Sequence, residues 1–223
     1  MSARLDHLVI GCASLEQGVA WCEANLGVTP AAGGRHAFMG THNRLLALAA
    51  AASSHAYLEL IAIDPQAPPP GRRRWFGLDE PEVQAALAQQ PRLLHWVARV
   101  DDVAQAAAAW QRLGLDPGPV VAAERDTPHG LLRWRLTVRD DGALLLGGAL
   151  PTLIQWGDAH PADRLPVSGV ALGSLVLGGG DSPVLGRALH AVDAQGFELR
   201  SGLPALRATL STPRGEVVLT GLG

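Results

Sequence analysis

Two histidines stand at the third position of similar apolar runs, Leu5-Asp6-His7-Leu8-Val9-Ile10 and Leu93-Leu94-His95-Trp96-Val97-Ala98. Later apolar runs are each interrupted by one polar residue, Glu59 in Tyr57-Leu58-Glu59-Leu60-Ile61 and Gln155 in Leu153-Ile154-Gln155-Trp156, which follow their histidines by 52 and 60 positions. A carboxylate inside an apolar strand is costly to bury without a compensating partner. Two imidazoles, a carboxylate and an amide oxygen form an acceptable donor set for a divalent ion such as Zn, Ni, Fe, Mn or Co, with positions left for water or substrate. A metal-free polar pocket, in which both histidines are ordinarily hydrogen-bonded and Glu59 accepts from one of them, accounts for the same residues equally well.

Further polar and aromatic residues have two readings each. His42 and Asn43, in Gly40-Thr41-His42-Asn43, are either a turn entering a strand or part of a pocket rim. Arg125, Arg133 and Arg135 have the chemistry to hold a carboxylate, yet alternate arginines on a strand are also a common exposed face. Trp75, Phe76, Trp134 and Trp156 either wall a pocket or fill a core. From these, His42, Asn43, Arg135 and Trp156 are taken as the candidate substrate-binding residues. His36, His55, His129, His160 and His190 lack a recurring counterpart and are read as structural or exposed. Nucleophilic catalysis has little support, because neither Cys12 nor Cys22 lies in a fitting context and there is no Gly-x-Ser-x-Gly turn.

The elements that must position the pair of histidines repeat with them. After the first run, Ser14 with Gln17 has capping-box spacing before LEQGVAWCEANLGV. After the second, Asp102 with Gln105 has the same spacing before VAQAAAAWQRLGL. Both helical patterns carry a tryptophan, Trp21 or Trp110, and end at a glycine, Gly27 or Gly114. Three short apolar runs follow each helix, near 34–38, 44–49 and 57–63 in the first copy and near 120–124, 131–139 and 151–156 in the second. Each copy therefore reads as βαβββ. The copies are joined through Pro65-Gln66-Ala67-Pro68-Pro69-Pro70-Gly71 and Arg72-Arg73-Arg74, read as linker and solvated loop.

The last sixty residues repeat the pattern more faintly, from Leu172-Gly173-Ser174-Leu175-Val176-Leu177 through the Ser182-Pro183 helix start and the Gly196 stop to runs near 197–200, 206–210 and 216–220. Ser174 replaces the histidine. The expected fold is α+β, with paired βαβββ modules forming a cupped mixed sheet over residues 1–160. Residues 161–223 are expected to form a degenerate third module or C-terminal extension without a ligand role. Covering its sheet edge by homodimerisation is one solution, and packing within the chain is another. In a strand, alternate side chains share a face, so His7 and His95 converge if the modules pair about a pseudo-twofold axis.

The chain as a whole narrows the partners. It has 223 residues, 48% of them hydrophobic and 17% charged, which permits a sizeable core. A net charge of -3 leaves no basic stripe for nucleic acid, and no apolar run approaches the roughly 20 residues of a membrane span. Two cysteines make a disulfide framework improbable, and the N-terminus lacks a signal-peptide pattern, so a cytoplasmic protein acting on a small molecule is expected.

The paired modules with His7, Glu59, His95 and Gln155 resemble the vicinal oxygen chelate superfamily. Within it, the runs Gly40-Thr41-His42-Asn43-Arg44-Leu45-Leu46, Tyr57-Leu58-Glu59-Leu60-Ile61-Ala62 and Leu131-Leu132-Arg133-Trp134-Arg135-Leu136-Thr137 resemble the glyoxalase-like domain family. The resemblance covers roughly residues 4–160. It implies a ligand in a cup between two modules, with metal ligands at His7, Glu59, His95 and Gln155, the last a departure from the frequent acidic residue. Glu59 would then be the catalytic base. The resemblance does not imply one reaction. A metal-dependent lyase or isomerase moving a proton beside a carbonyl is the leading expectation, followed by a metal-free binding or sequestration protein and then by an iron-dependent ring-cleaving dioxygenase.

Overall fold

The computed structural model describes residues 2–50, 53–128 and 130–222; His129 and the Ala51-Ala52 pair of the apolar stretch 45–54 lie outside them. The first module runs β1 (Arg4–Gly11), α1 (Leu15–Asn25), β2 (Ala31–His36), β3 (Thr41–Ala50) and β4 (Ser53–Ile63). The second runs β5 (Arg92–Arg99), α3 (Val103–Gln111), β6 (Val120–Thr127), β7 (Gly130–Thr137) and β8 (Thr152–Trp156). The third runs β9 (Ala171–Gly178), α4 (Pro183–Ala191), β10 (Glu198–Arg200), β11 (Leu206–Thr212) and β12 (Gly215–Thr220). The stretch between the first two modules contains a helix that the linker reading missed, α2 (Pro81–Gln89), which starts with proline at its first turn. Its neighbouring arginines are paired: Arg72 with Asp140, Arg73 with Glu80 and Arg74 with Asp79.

Local signals act as their chemistry requires. Ser14 Oγ accepts from the Gln17 N–H at 3.2 Å, and Asp102 accepts from the N–H groups of Ala104 and Gln105. Gly27 and Gly114 leave their helices at φ 74° and 77°, where a side chain would be strained.

The strands form one mixed sheet in the order β12-β11-β9-β3-β4-β1-β5-β8-β7-β6, with β2 alongside β3 and β10 alongside β9. At its centre β1 and β5 run antiparallel, and each is flanked by the parallel last strand of its own module, β4 or β8. This is the pseudo-twofold seam. One face packs on the helices through a core that includes Leu8, Leu58, Trp96 and Trp110. The other face curls into a cup lined by Val9, Ile61, Val97, Trp134 and Ile154. The third module joins the same sheet through β3–β9 pairing, and the Trp110 indole donates to the Ala188 carbonyl at 2.8 Å.

A β-bulge sits at the same place in the first strand of every module. Leu5 pairs with Ala98 and His7 with Val97, which leaves Asp6 as the extra residue. On β5, Val9 pairs with His95 and Ile10 with Leu93, so Leu94 is extra. On β9, Thr209 pairs with Ser174 and Leu210 with Leu172, so Gly173 is extra. A bulge puts two successive side chains on one side of the sheet. Accordingly, Leu5 and Leu8 both lie in the helix-side core, while Asp6 and His7 both turn into the cup.

Candidate functional site

In the first module the bulge creates a carboxylate–imidazole pair. Asp6 is fully buried, and its Oδ1 accepts from His7 Nδ1 at 2.7 Å. Its Oδ2 accepts from Trp156 Nε1 and from His160 Nε2, both at 2.9 Å. Because His160 Nδ1 accepts from the Ala162 N–H, its proton sits on Nε2 and points at Asp6. Burial alone would raise the Asp6 pKa, but the hydrogen bonds from His160 and His7, with the electrostatic attraction of the same two side chains, hold it well below the usual carboxylate range. With Nδ1–H committed to Asp6, His7 directs Nε2 toward Glu59 Oε2 at 3.6 Å. The His7 ring stacks on Tyr57, whose phenol is pushed well above its ordinary pKa by burial and then by the charges of Asp6 and Glu59.

Glu59 sits opposite Val9 on β4 and is buried. Asn43 Nδ2 donates to Glu59 Oε1 at 2.6 Å and lies 3.3 Å from His36 Nε2. The amide is locked because Asn43 Oδ1 accepts from the Gly34 N–H at 2.7 Å, with Arg125 Nη1 at 3.5 Å. A glycine pair permits this. A Cβ on Gly33 would lie 2.1 Å from Asn43 Oδ1, and one on Gly34 would lie 2.0 Å from Arg125 Nη1. His36 contacts Thr41 through Nδ1 at 3.1 Å, and burial brings its pKa down to about 4 despite the nearby Glu59 charge.

The second module lacks these polar partners. The bulge residue before His95 is Leu94, so among the described residues no carboxylate meets the buried Nδ1. Nε2 of His95 accepts from the Thr152 N–H at 2.9 Å, and Thr152 Oγ1 lies 3.2 Å away. Burial, with His7 nearby, brings His95 down to about pKa 3, so the ring is neutral. Register explains the asymmetry: Glu59 pairs with Val9, two residues after His7, and Thr152 pairs with Val97, two residues after His95. Thr152, not Gln155, is the counterpart of Glu59.

The four-residue metal set therefore does not assemble. Gln155 is three residues past the equivalent position, an odd offset that turns it to the opposite face. There its Oε1 accepts from the Val103 N–H at the start of α3, at 3.2 Å. His95 faces the cup side, but its Nε2 lone pair is occupied by Thr152. His7 and Glu59 are the two expected ligands that converge, and among the described residues no group of three or more His, Cys, Asp or Glu is placed to hold a metal ion.

Of the expected substrate contacts, Asn43 and Trp156 line the pocket and two do not. His42 points away from Asn43, with Nδ1 4.0 Å from Asp64 Oδ1, because neighbours on β3 alternate faces. Arg135 pairs in register with Gln155 and shares its outer face, for the same reason. Arg125, Asp6, His36 and His160 complete the cluster instead. Asp6 is not among the residues singled out from sequence, although a second carboxylate in an apolar strand is itself a signal; the others are joined by long-range folding with no sequence spacing to mark them.

The inner pocket is a cavity of about 40 Å³ among His7, Asn43, Glu59, Arg125 and an aromatic wall that includes Trp75, Trp134 and Trp156. It adjoins an outer groove of about 570 Å³, and the two share Leu45, Arg125, Leu132 and Pro161. Phe76, at φ 59°, stacks on Trp75 and contacts His95, separating the inner pocket from a smaller cavity on the His95 side.

The model of a glyoxalase-like domain matches residues 5–192. No match is found among curated proteins. Among solved structures, a hypothetical protein from Staphylococcus aureus is similar over 100% of this chain and 87% of its own, at 16% identity and a TM-score of 0.57. A variant of the Streptomyces coelicolor methylmalonyl-CoA epimerase in complex with 2-nitronate-propionyl-CoA covers 72% of this chain and 99% of its own, at 19% identity and a TM-score of 0.45. The epimerase from Mycobacterium tuberculosis covers 70% and 87%, at 19% identity and a TM-score of 0.40. These likenesses concern the fold alone.

Proposed function

The chain belongs to the glyoxalase-like domain family, and for this member we propose proton-transfer chemistry on a small oxygen-rich metabolite, with Glu59 as the base. One observation carries the reading: Glu59 is a buried carboxylate with Oε1 held by Asn43, while Oε2 faces the cavity beside His7 and receives no hydrogen bond among the described residues. A carboxylate fixed at one oxygen and open at the other is suited to take a proton from a bound molecule.

In the proposed step, Oε2 takes a proton from a carbon next to a carbonyl, and the C–H electron pair moves into an enolate whose charge rests on the carbonyl oxygen. Arg125 is the cation at the mouth of the inner pocket that faces this charge. Returning the proton from Glu59 to the same carbon or a neighbouring one gives epimerisation or isomerisation. His7, held in one tautomer by Asp6, offers Nε2 as the next proton acceptor. The tryptophan wall limits water around the intermediate.

Incubation with a panel of small carbonyl acids in deuterium oxide, followed by proton NMR, tests this. The expected result is catalysed exchange of the C–H beside the carbonyl by the wild type and none by Glu59→Gln. Binding without exchange across the panel would make the cup a binding or sequestration site instead.

A further inference from the structure

We propose that the ligand of this site is a carboxylate with an apolar chain, its carboxylate seated on Arg125 at the junction of the two cavities and its chain lying in the outer groove. The inference names a substrate class for the proton-transfer reading and rests on it only in setting the carbon next to the carboxylate toward Glu59.

Arg125 supplies the first argument. It comes from β6 of the second module and reaches across the cup to the first, lying between Gly34 and Asn43. Many arginines of this chain have carboxylate partners, Arg35, Arg72, Arg73, Arg74, Arg133, Arg139 and Arg200 among them. Among the described residues Arg125 has none within 4.0 Å, and its Nε is buried without a hydrogen-bond partner. Burial opposes its charge, and the interactions that support it come from Tyr57 and Glu59. A partly buried guanidinium with donors unspent is a receptor for an anion that the chain does not provide. The same fork in water would need no such partner.

The anion is limited in charge. Glu59 lies on the other side of Asn43, and among the described residues Arg125 is the one cationic side chain lining the inner pocket apart from its histidines. One guanidinium offers a fork for one carboxylate, and the Glu59 charge nearby opposes any higher negative charge, which suits a planar carboxylate better than a phosphate dianion.

The groove supplies the second argument. Its volume of about 570 Å³ is in the range of small-molecule sites, whereas the 40 Å³ inner pocket holds only a group of a few atoms. Leu45 and Leu132 are shared between the cavities, and Leu131 and Leu165 extend the apolar surface outward. Leu131 is 39% exposed, a large apolar side chain left open to solvent at the groove. Asp163, on the same wall, is already engaged by the His160 N–H at 3.1 Å and by His55 at 3.2 Å. Asp158 and Arg164 also line the groove, with opposite charges, and its leucines give an apolar track leading outward from Arg125, which matches a charged head and a hydrocarbon tail.

Titration with octanoate, butanoate and the neutral isostere octanamide, read by calorimetry and by quenching of the pocket tryptophans, tests the proposal. In both the wild type and Glu59→Gln, octanoate is expected to bind at least tenfold tighter than octanamide and than butanoate. Arg125→Gln should remove the preference over octanamide and Arg125→Lys should retain part of it; Leu131→Asp should weaken octanoate at least tenfold. Equal binding of octanoate and octanamide, binding of neither, or a preference that survives Arg125→Gln would overturn it. Because Glu59→Gln lacks the proposed base, charge and chain preferences seen there stand even if no proton exchange is found in the wild type.

Discussion

The backbone N–H of Thr152 donates to His95 Nε2 at 2.9 Å and so occupies the ring nitrogen that its counterpart, His7, directs at Glu59 Oε2. The two modules share strand order, bulge and histidine, but differ at two positions: Asp6 against Leu94 before the histidine, and Glu59 against Thr152 opposite the following valine. Those two differences place the charge in one half of the pseudo-symmetric cup.

Removing Asp6 should be severe. It accepts from His7, His160 and Trp156 with no exposure to solvent, so Asp6→Ala leaves two buried imidazole donors and the half-buried Trp156 indole unpaired. A loss of about 3–5 kcal/mol in unfolding free energy is expected by denaturant titration. A loss below about 1 kcal/mol would show that the network rearranges around the gap.

The neighbouring glycines separate function from folding. The Cβ of Gly34→Ala would meet the flexible end of Arg125, whereas that of Gly33→Ala would meet the Asn43 backbone oxygen at 2.4 Å. Gly34→Ala should therefore keep its melting temperature within a few degrees and lose carboxylate binding. Gly33→Ala should lower the melting temperature markedly, because backbone cannot step aside. Thermal melts of the two variants, with octanoate titrations of the first, check both statements.

Gln155 should behave as part of the fold. Gln155→Ala removes the acceptor for the Val103 N–H while Asp102 still caps α3, so about 1 kcal/mol of stability should be lost. Ligand binding and any turnover should stay within twofold of wild type. A larger functional loss would return Gln155 to the site.

Acid should destabilise the chain well above the carboxylate range. His36 and His95 are held at about 4 and about 3 by burial, against an ordinary value of 6.5. As pH falls below about 6.5 the unfolded chain takes up protons that the folded chain refuses, so stability drops from pH 7 toward pH 4, by about 2 kcal/mol per ring at pH 5. The His36 contribution levels off as pH nears 4 and that of His95 as it nears 3; the lowered Asp6 pKa adds a further loss below about pH 4. Denaturation curves between pH 4.5 and 7 should show this slope, and His95→Gln, which keeps an acceptor for Thr152, should flatten it.

The modular fold was legible because its signals are local. Caps at Ser14 and Asp102, stops at Gly27 and Gly114 and the recurring Leu-x-His run each act within a few residues. Glu59 was legible from the cost of a charge in an apolar strand. Gln155 misled because β8 begins at Thr152, directly after Pro151 and the 3₁₀ turn Leu145–Gly148, so the apolar run after Thr152 conceals which residue faces the cup. Strict alternation likewise put Asp6 and His7 on opposite faces, and the bulge cancels that rule. The leucines flanking the pair, Leu5 and Leu8, were its trace, since both belong to the helix-side core although they are three apart. Arg125, His36 and His160 come from other strands or from the turn at Pro161–Arg164, and only tertiary folding brings them to the pocket.

That the base stands in the first module alone, while the second contributes Arg125 but has Thr152 at the matching place, is the point on which the chemistry turns. Solvent deuterium exchange into a carbonyl acid turned over by the wild type, measured side by side for Glu59→Gln and Thr152→Val, tests it most directly. The expected outcome is a loss of at least about 100-fold for Glu59→Gln, as for removal of a general base, with Thr152→Val within threefold of wild type. Equal losses in the two variants, or exchange that persists in Glu59→Gln, would contradict the account.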